Sequence, residues 1–81
     1  MKSISIYDNG GKTLDRITVI FDKEKRQTKY GIIYNCVVAS ETGNGIYLHS
    51  EAMKGRHLGK KIDFSKLSLP LQNKLLIELN K

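Results

Sequence analysis

The sequence predicts an α+β domain in which a four-stranded antiparallel β-sheet, ordered as a meander, carries a C-terminal amphipathic helix on one face. Three observations predict it. Apolar and polar residues alternate in several short runs, which is the pattern of half-buried strands. Two Asn-Gly pairs, Asn9-Gly10 and Asn44-Gly45, punctuate those runs, and that dipeptide accepts the positive φ angles of a tight hairpin turn. Near the C-terminus Leu71, Leu75, Leu76 and Leu79 recur at helical spacing. A chain of 81 residues reads as one domain, residues 1–81, with room for a single core.

The elements follow in order. Ser3 to Asp8 alternates strictly, with Ile4 and Ile6 on one face and Ser3, Ser5 and Tyr7 on the other, and forms the first strand. The chain then reverses at Asn9-Gly10, with Gly11 beside it. Leu14 to Phe21 is the second strand, its Ile17, Val19 and Phe21 on one face and its β-branched content suited to a pleated surface. Asp22 to Lys29 reads as a solvated connecting loop, because four basic and two acidic residues leave it almost nothing to bury. Tyr30 to Ala39 is apolar on both faces, which marks the central strand. Residues 41–45 supply the second turn, and Ile46 to His49 returns as the fourth strand.

From Ser50 to Lys61 the pattern changes. Gly55 and Gly59 argue against a regular helix, so the segment reads as a loop with one helical turn at Ser50 to Met53. Ile62 to Leu67 forms a short edge segment. Ser68 is then an N-cap residue, and Pro70 falls in the first helical turn, where its missing N–H costs little. The leucine stripe lies on the sheet or, as the alternative, joins two copies, so the chain is a monomer or a homodimer.

Fourteen Lys and Arg against eight Asp and Glu give a net charge of +6. That balance favours anionic partners, nucleic acid first and an acidic protein face next. No apolar run approaches the ~20 residues a bilayer crossing needs, and the N-terminal residues alternate rather than forming a signal-peptide core. With one cysteine, Cys36, set in an apolar run, no internal disulfide forms, and a reducing cytoplasmic setting follows.

Two stretches carry candidate chemistry. The loop Asn9, Gly10, Gly11, Lys12 and Thr13 presents backbone N–H groups, an ammonium and a hydroxyl that suit an anion, although an Asn/Gly-rich turn needs no ligand. Asp8, Asp15 and Arg16 flank it and suit an ion pair, while Lys12 and Arg16 also serve as nucleic-acid contacts where this loop lies at the same end of the sheet as the basic segment. The second stretch, Lys54, Arg56, His57, Lys60 and Lys61, runs without an acid and suits phosphate contact. Tyr7 and Tyr47 fall on exposed strand faces, where they serve as base-stacking positions or simply sit half-buried with the hydroxyl in water. His49-x-Glu51 with His57 is the one metal-like grouping, and it lacks the helical or Cys-pair spacing of strong metal motifs. No Walker pattern, no Gly-x-Gly-x-x-Gly and no Ser/His/Asp order is present, so the chain reads as a non-enzyme with no cofactor and no metal.

The segments Tyr7-Asp8-Asn9-Gly10-Gly11-Lys12-Thr13 with Asp15-Arg16 and Thr18, Ser40-Glu41, His49-x-Glu51, and His57-Leu58-Gly59-Lys60-Lys61-Ile62 together resemble a group of small uncharacterised proteins of bacteriophages and mobile elements. The resemblance covers most of the chain and implies a context rather than a mechanism. It departs at Thr42-Gly43-Asn44-Gly45, which replaces a Pro- and Gly-rich segment of that group. In such a context a small basic protein contacts nucleic acid or a host nucleoprotein. The alternatives are inhibition of a host defence protein by direct binding, or sequestration of a small nucleotide.

Overall fold

The computed structural model describes residues 3–13, 15–40 and 46–80, the last stretch with its side chains from residue 50 onward. Strands β1 (Ile4–Asp8), β2 (Ile17–Thr28), β3 (Gly31–Ala39), β4 (Ile46–Ala52) and β5 (Lys60–Ile62) precede helix α1 (Leu69–Leu79), and single 3₁₀ turns lie at Arg56–Leu58 and Phe64–Lys66. The sheet order is β4-β3-β2-β1-β5, every neighbouring pair antiparallel. No helix among the described residues is long and apolar enough to cross a membrane.

The expected four-strand meander is therefore the first part of a five-stranded sheet. β5 pairs with the outer edge of β1 through Ile6↔Ile62, Tyr7↔Lys61 and Asp8↔Lys60. The edge segment expected at Ile62 to Leu67 is displaced: Phe64–Lys66 is a 3₁₀ turn, and the strand is Lys60–Ile62, whose two lysines and lack of alternation left no periodic signal. What makes it a strand is the edge of β1, whose N–H and C=O groups need partners. A fifth strand on that side also shifts the centre of the sheet from β3 to β2, where Ile17, Thr18, Val19 and Ile20 are buried in succession.

Asp22 to Lys29 is not a loop. β2 runs on to Thr28 and pairs as Lys25↔Tyr34, Arg26↔Ile33, Gln27↔Ile32 and Thr28↔Gly31, after a register shift between Ile20 and Lys25. Polar side chains do not prevent this, because the ladder needs only backbone groups. Cross-strand contacts brace the ribbon: Arg26 donates to Glu51 Oε2 at 3.1 Å, and Ser5 Oγ donates to Asp22 at 2.8 Å. Ser50 to Met53 is likewise not a helical turn, since Ser50 and Ala52 belong to β4 and lie opposite Cys36 and Tyr34. The second Asn-Gly turn, at residues 41–45, lies outside the described residues.

The two faces of the sheet are covered differently. On one, Leu67, Leu71 and Leu75 pack on Ile6, Ile17, Val19, Val37 and Ala39. Leu79 is also buried, whereas Leu76 stands at the exposed margin, so the apolar stripe of α1 is narrower than its leucines imply. On the other face β4 ends at Ala52, beside Tyr34, while β5 begins at Lys60, beside Asp8. Residues 53–59 must cross that face diagonally to connect them. This strap inserts Leu58 over Ile20 and Cys36.

Candidate functional site

The chain reverses over Asn9 to Arg16, closed by the Asn9 N–H donating to the Arg16 carbonyl at 3.0 Å. Positive φ occurs at Gly10 (78°) and Gly11 (88°), one position later than a two-residue Asn9-Gly10 turn requires. Side chains hold the loop from inside. Asp8 Oδ1 accepts from Gly10 N at 2.8 Å, and Asn9 Oδ1 accepts from Gly11 N at 2.9 Å and Lys12 N at 3.1 Å. Asn9 Nδ2 donates onward to Thr13 Oγ1 at 2.9 Å. The N–H groups expected to cradle an anion thus serve as Asx-turn donors, which leaves the exposed Lys12 side chain as what the loop tip offers an anionic partner.

Arg16 folds back on Asp8 as a bidentate pair, Nε to Oδ1 at 2.7 Å and Nη2 to Oδ2 at 3.1 Å. The hydrogen bond from Arg16 holds the Asp8 carboxyl below the usual carboxylate range, against a smaller opposing push from burial and with help from Gly10 N–H. The expected brace of the loop is therefore Asp8 with Arg16.

The basic segment docks at this same corner. A Cβ on Gly59 would collide with the Asp8 carbonyl and Asn9 Cα, and its φ is 89°. Only glycine lets the strap lie this close to the loop. Lys60 and Lys61 follow at once, paired in register with Asp8 and Tyr7. Two adjoining depressions open here. One, of about 270 Å³, is lined by Asp8, Arg16, Lys66 and Ser68 among others; the second, of about 560 Å³, by Asp8, Lys60, Lys61, Asp63 and Lys66.

Lys66, which the sequence reading missed, belongs to this corner. Its signal was invisible because it lies in a 3₁₀ turn beyond β5, and only the pairing of β5 with β1 brings that turn beside Asp8. Lys54 does the opposite. It stands at the far end of the strap, donating to Asp22 Oδ1 at 3.0 Å with its ammonium 4.7 Å above the Tyr34 ring. That hydrogen bond raises the Lys54 pKa. Burial pushes the Asp22 carboxyl upward, but the Ser5 hydroxyl and Lys54 outweigh it and the net shift is downward. Arg56 and His57 lie between these ends, exposed on the strap.

The remaining sequence candidates disperse. Glu51 accepts from Arg26, the His49 side chain lies outside the described residues, and among the described residues no three His, Cys, Asp or Glu converge as metal ligands. Tyr7 packs half-buried against the Ile20 cluster, and the Tyr47 side chain is outside the described residues. Cys36 is fully buried and its thiol pKa is pushed up by that burial, which makes it a core residue rather than a nucleophile. Compared with known proteins, the chain matches no family model, no curated protein and no solved structure.

Proposed function

We propose that this chain is a non-catalytic binding protein whose partner is nucleic acid, or a nucleoprotein met through its nucleic acid, held by its phosphates against the strap and the β5 corner. One observation carries the reading. Lys12, Arg56, Lys60, Lys61 and Lys66 are exposed and make no ion pair among the described residues, whereas Arg16 and Lys54 are engaged by Asp8 and Asp22. Asp8 and Asp22 are spent bracing the scaffold, Asp63 lines the corner beside Lys60, Lys61 and Lys66, and the cations without an ion pair face water. Phosphate contacts of this kind dominate affinity and release counterions. Arg16 and Lys54 then act as supports, and His57 as a neighbour on the strap.

The test is anisotropy of labelled single-stranded and duplex oligonucleotides across a salt series. Binding whose logarithm falls linearly with the logarithm of salt supports the reading, and salt-insensitive or absent binding removes it. A host protein captured through a pull-down that survives nuclease treatment would point instead to direct inhibition.

The paired depressions favour a second reading, in which a small nucleotide places its phosphates between Lys60 and Lys66 beside Asp8. Calorimetric titration with nucleoside mono- and polyphosphates separates it from the first, since the corner alone would then saturate with a free nucleotide.

A further inference from the structure

The polar half of the β2–β3 ribbon carries a feature that the corner around Asp8 does not explain. At its tip Tyr30 is 76% exposed, with the Lys29 ammonium 5.1 Å from its ring centroid. The turn beneath it is fixed: Thr28 Oγ1 accepts from Tyr30 N at 3.2 Å and donates to the Gly31 carbonyl at 2.8 Å, and Gly31 has φ of 131°. A large ring is thus held in water on a rigid turn. Ile32 and Met53 stand exposed beside it, at 39% and 38%, and Met53 Cε lies against Gly31.

The surroundings of this apolar tip are cationic. Lys25 is paired in register with Tyr34, and Lys54 covers that same ring as the strap begins. Of the nearby carboxylates, Asp22 and Glu51 are occupied by Lys54 and Arg26, and Glu24 accepts from Asn35 Nδ2 at 3.3 Å. From this tip the strap leads across the sheet through Lys54 and Arg56 to Lys60 and Lys61, joining the ribbon to the proposed phosphate contacts.

We infer that the Tyr30 tip is a stacking platform for an unpaired base, so that the nucleic acid bound is single-stranded and runs from the ribbon tip along the strap. This rests on the nucleic-acid reading above and adds the substrate class. A base offers a π-face to an exposed ring whatever its identity, and cations flanking the ring hold the backbone. A duplex keeps its bases stacked on each other and has nothing to place on Tyr30.

The experiment compares the unaltered chain with Tyr30→Ala and Tyr30→Phe, using a labelled oligothymidine and a labelled duplex by anisotropy across salt. The ring is exposed, so both variants fold, which a thermal melt verifies. Tyr30→Ala is expected to weaken single-strand binding by about fivefold to a hundredfold, with duplex binding and the salt slope unchanged, because no cation is removed. Tyr30→Phe keeps the ring and the affinity. Unchanged single-strand binding in Tyr30→Ala, or an equal loss on the duplex, overturns the platform and leaves the phosphate reading standing. Absence of binding to either probe by the unaltered chain overturns both.

Discussion

The two faces of one sheet are closed by unlike materials. On the first, an eleven-residue helix sets Leu71 and Leu75 against β-branched residues of three strands. On the second, the strap of residues 53–59 contributes one buried apolar side chain, Leu58, and exposes Lys54, Arg56 and His57. Apolar burial is the main favourable term in folding, so the helix face carries most of the stability and the strap face little of it. The weaker cover is the one that displays charge. Stability and display are thereby separated onto opposite sides of a layer one strand thick, and binding surfaces are commonly drawn from the less stable regions.

Truncation of the core tests that separation most severely. Leu75→Ala removes a side chain that is 1% exposed at the centre of the larger cluster, with an expected loss of about 3 to 5 kcal/mol. Against a total stability of roughly 5 to 10 kcal/mol for a domain of this size, a thermal melt would show a largely unfolded or strongly shifted population. Leu58→Ala should cost less, about 2 to 3 kcal/mol, since fewer side chains surround it. Equal losses from the two variants would show that the strap stabilises as much as the helix does.

The next effect concerns how a charged strap is fastened. Gly59→Ala places a methyl group into the Asp8 carbonyl and imposes φ of 89° on an L-residue, so a loss of about 2 kcal/mol or more is expected in chemical denaturation. A comparison with Gly10→Ala separates strain from collision, because a Cβ there meets nothing within 4 Å at φ of 78°. Gly59→Ala should be the worse of the two. A similar cost at both would mean that backbone strain alone matters and that the strap can lift from the loop.

What could be read in the sequence divides along the same line. β1, the apolar half of β2 and α1 were legible because burial on one face imposes a period of two or of 3.6, and β3 because a short run apolar on both faces marks a buried strand. β5, the ribbon beyond Asp22 and the continuation of β4 through Ala52 were not. Their strand character comes from backbone pairing with a neighbour far away in the chain, which leaves no mark on hydropathy. The candidate site shows the same limit: the basic run was plain in the sequence, but the withdrawal of Lys54 to Asp22 and the arrival of Lys66 beside Asp8 depend on the path of the strap.

The ion pairs predict a smaller, pH-dependent effect. Asp8 and Asp22 have folded pKa values below their unfolded value of about 4. A depressed carboxyl stabilises the fold above its unfolded pKa, and the contribution is lost as pH falls through the folded value. Stability should therefore be level near neutrality and decline below about pH 4. Asp8→Asn is expected to cost about 1 to 2 kcal/mol at pH 7 by stripping Arg16 of its charged partner, and to flatten the acid limb of a stability-pH profile. An acid limb unchanged in that variant would assign the acid sensitivity to Asp22 instead.

The smallest effect on the fold should be the largest on binding. Lys60 and Lys61 are exposed, and they pair with β1 through their backbone, which alanine keeps. Lys60→Ala with Lys61→Ala is therefore expected to change stability by no more than about 0.5 kcal/mol per site. On single-stranded nucleic acid the same pair removes two phosphate contacts, and the slope of log affinity against log salt should become shallower by about 1.4. Lys74→Ala, at an exposed lysine on α1, which covers the opposite face of the sheet, serves as the matched control, because it lowers net charge without touching the strap, the ribbon or β5. If Lys74→Ala shifts the slope as much per charge as the β5 pair does, binding follows net charge alone and the corner has no special role. If only the β5 pair shifts it, the face with the weaker cover is the face that binds.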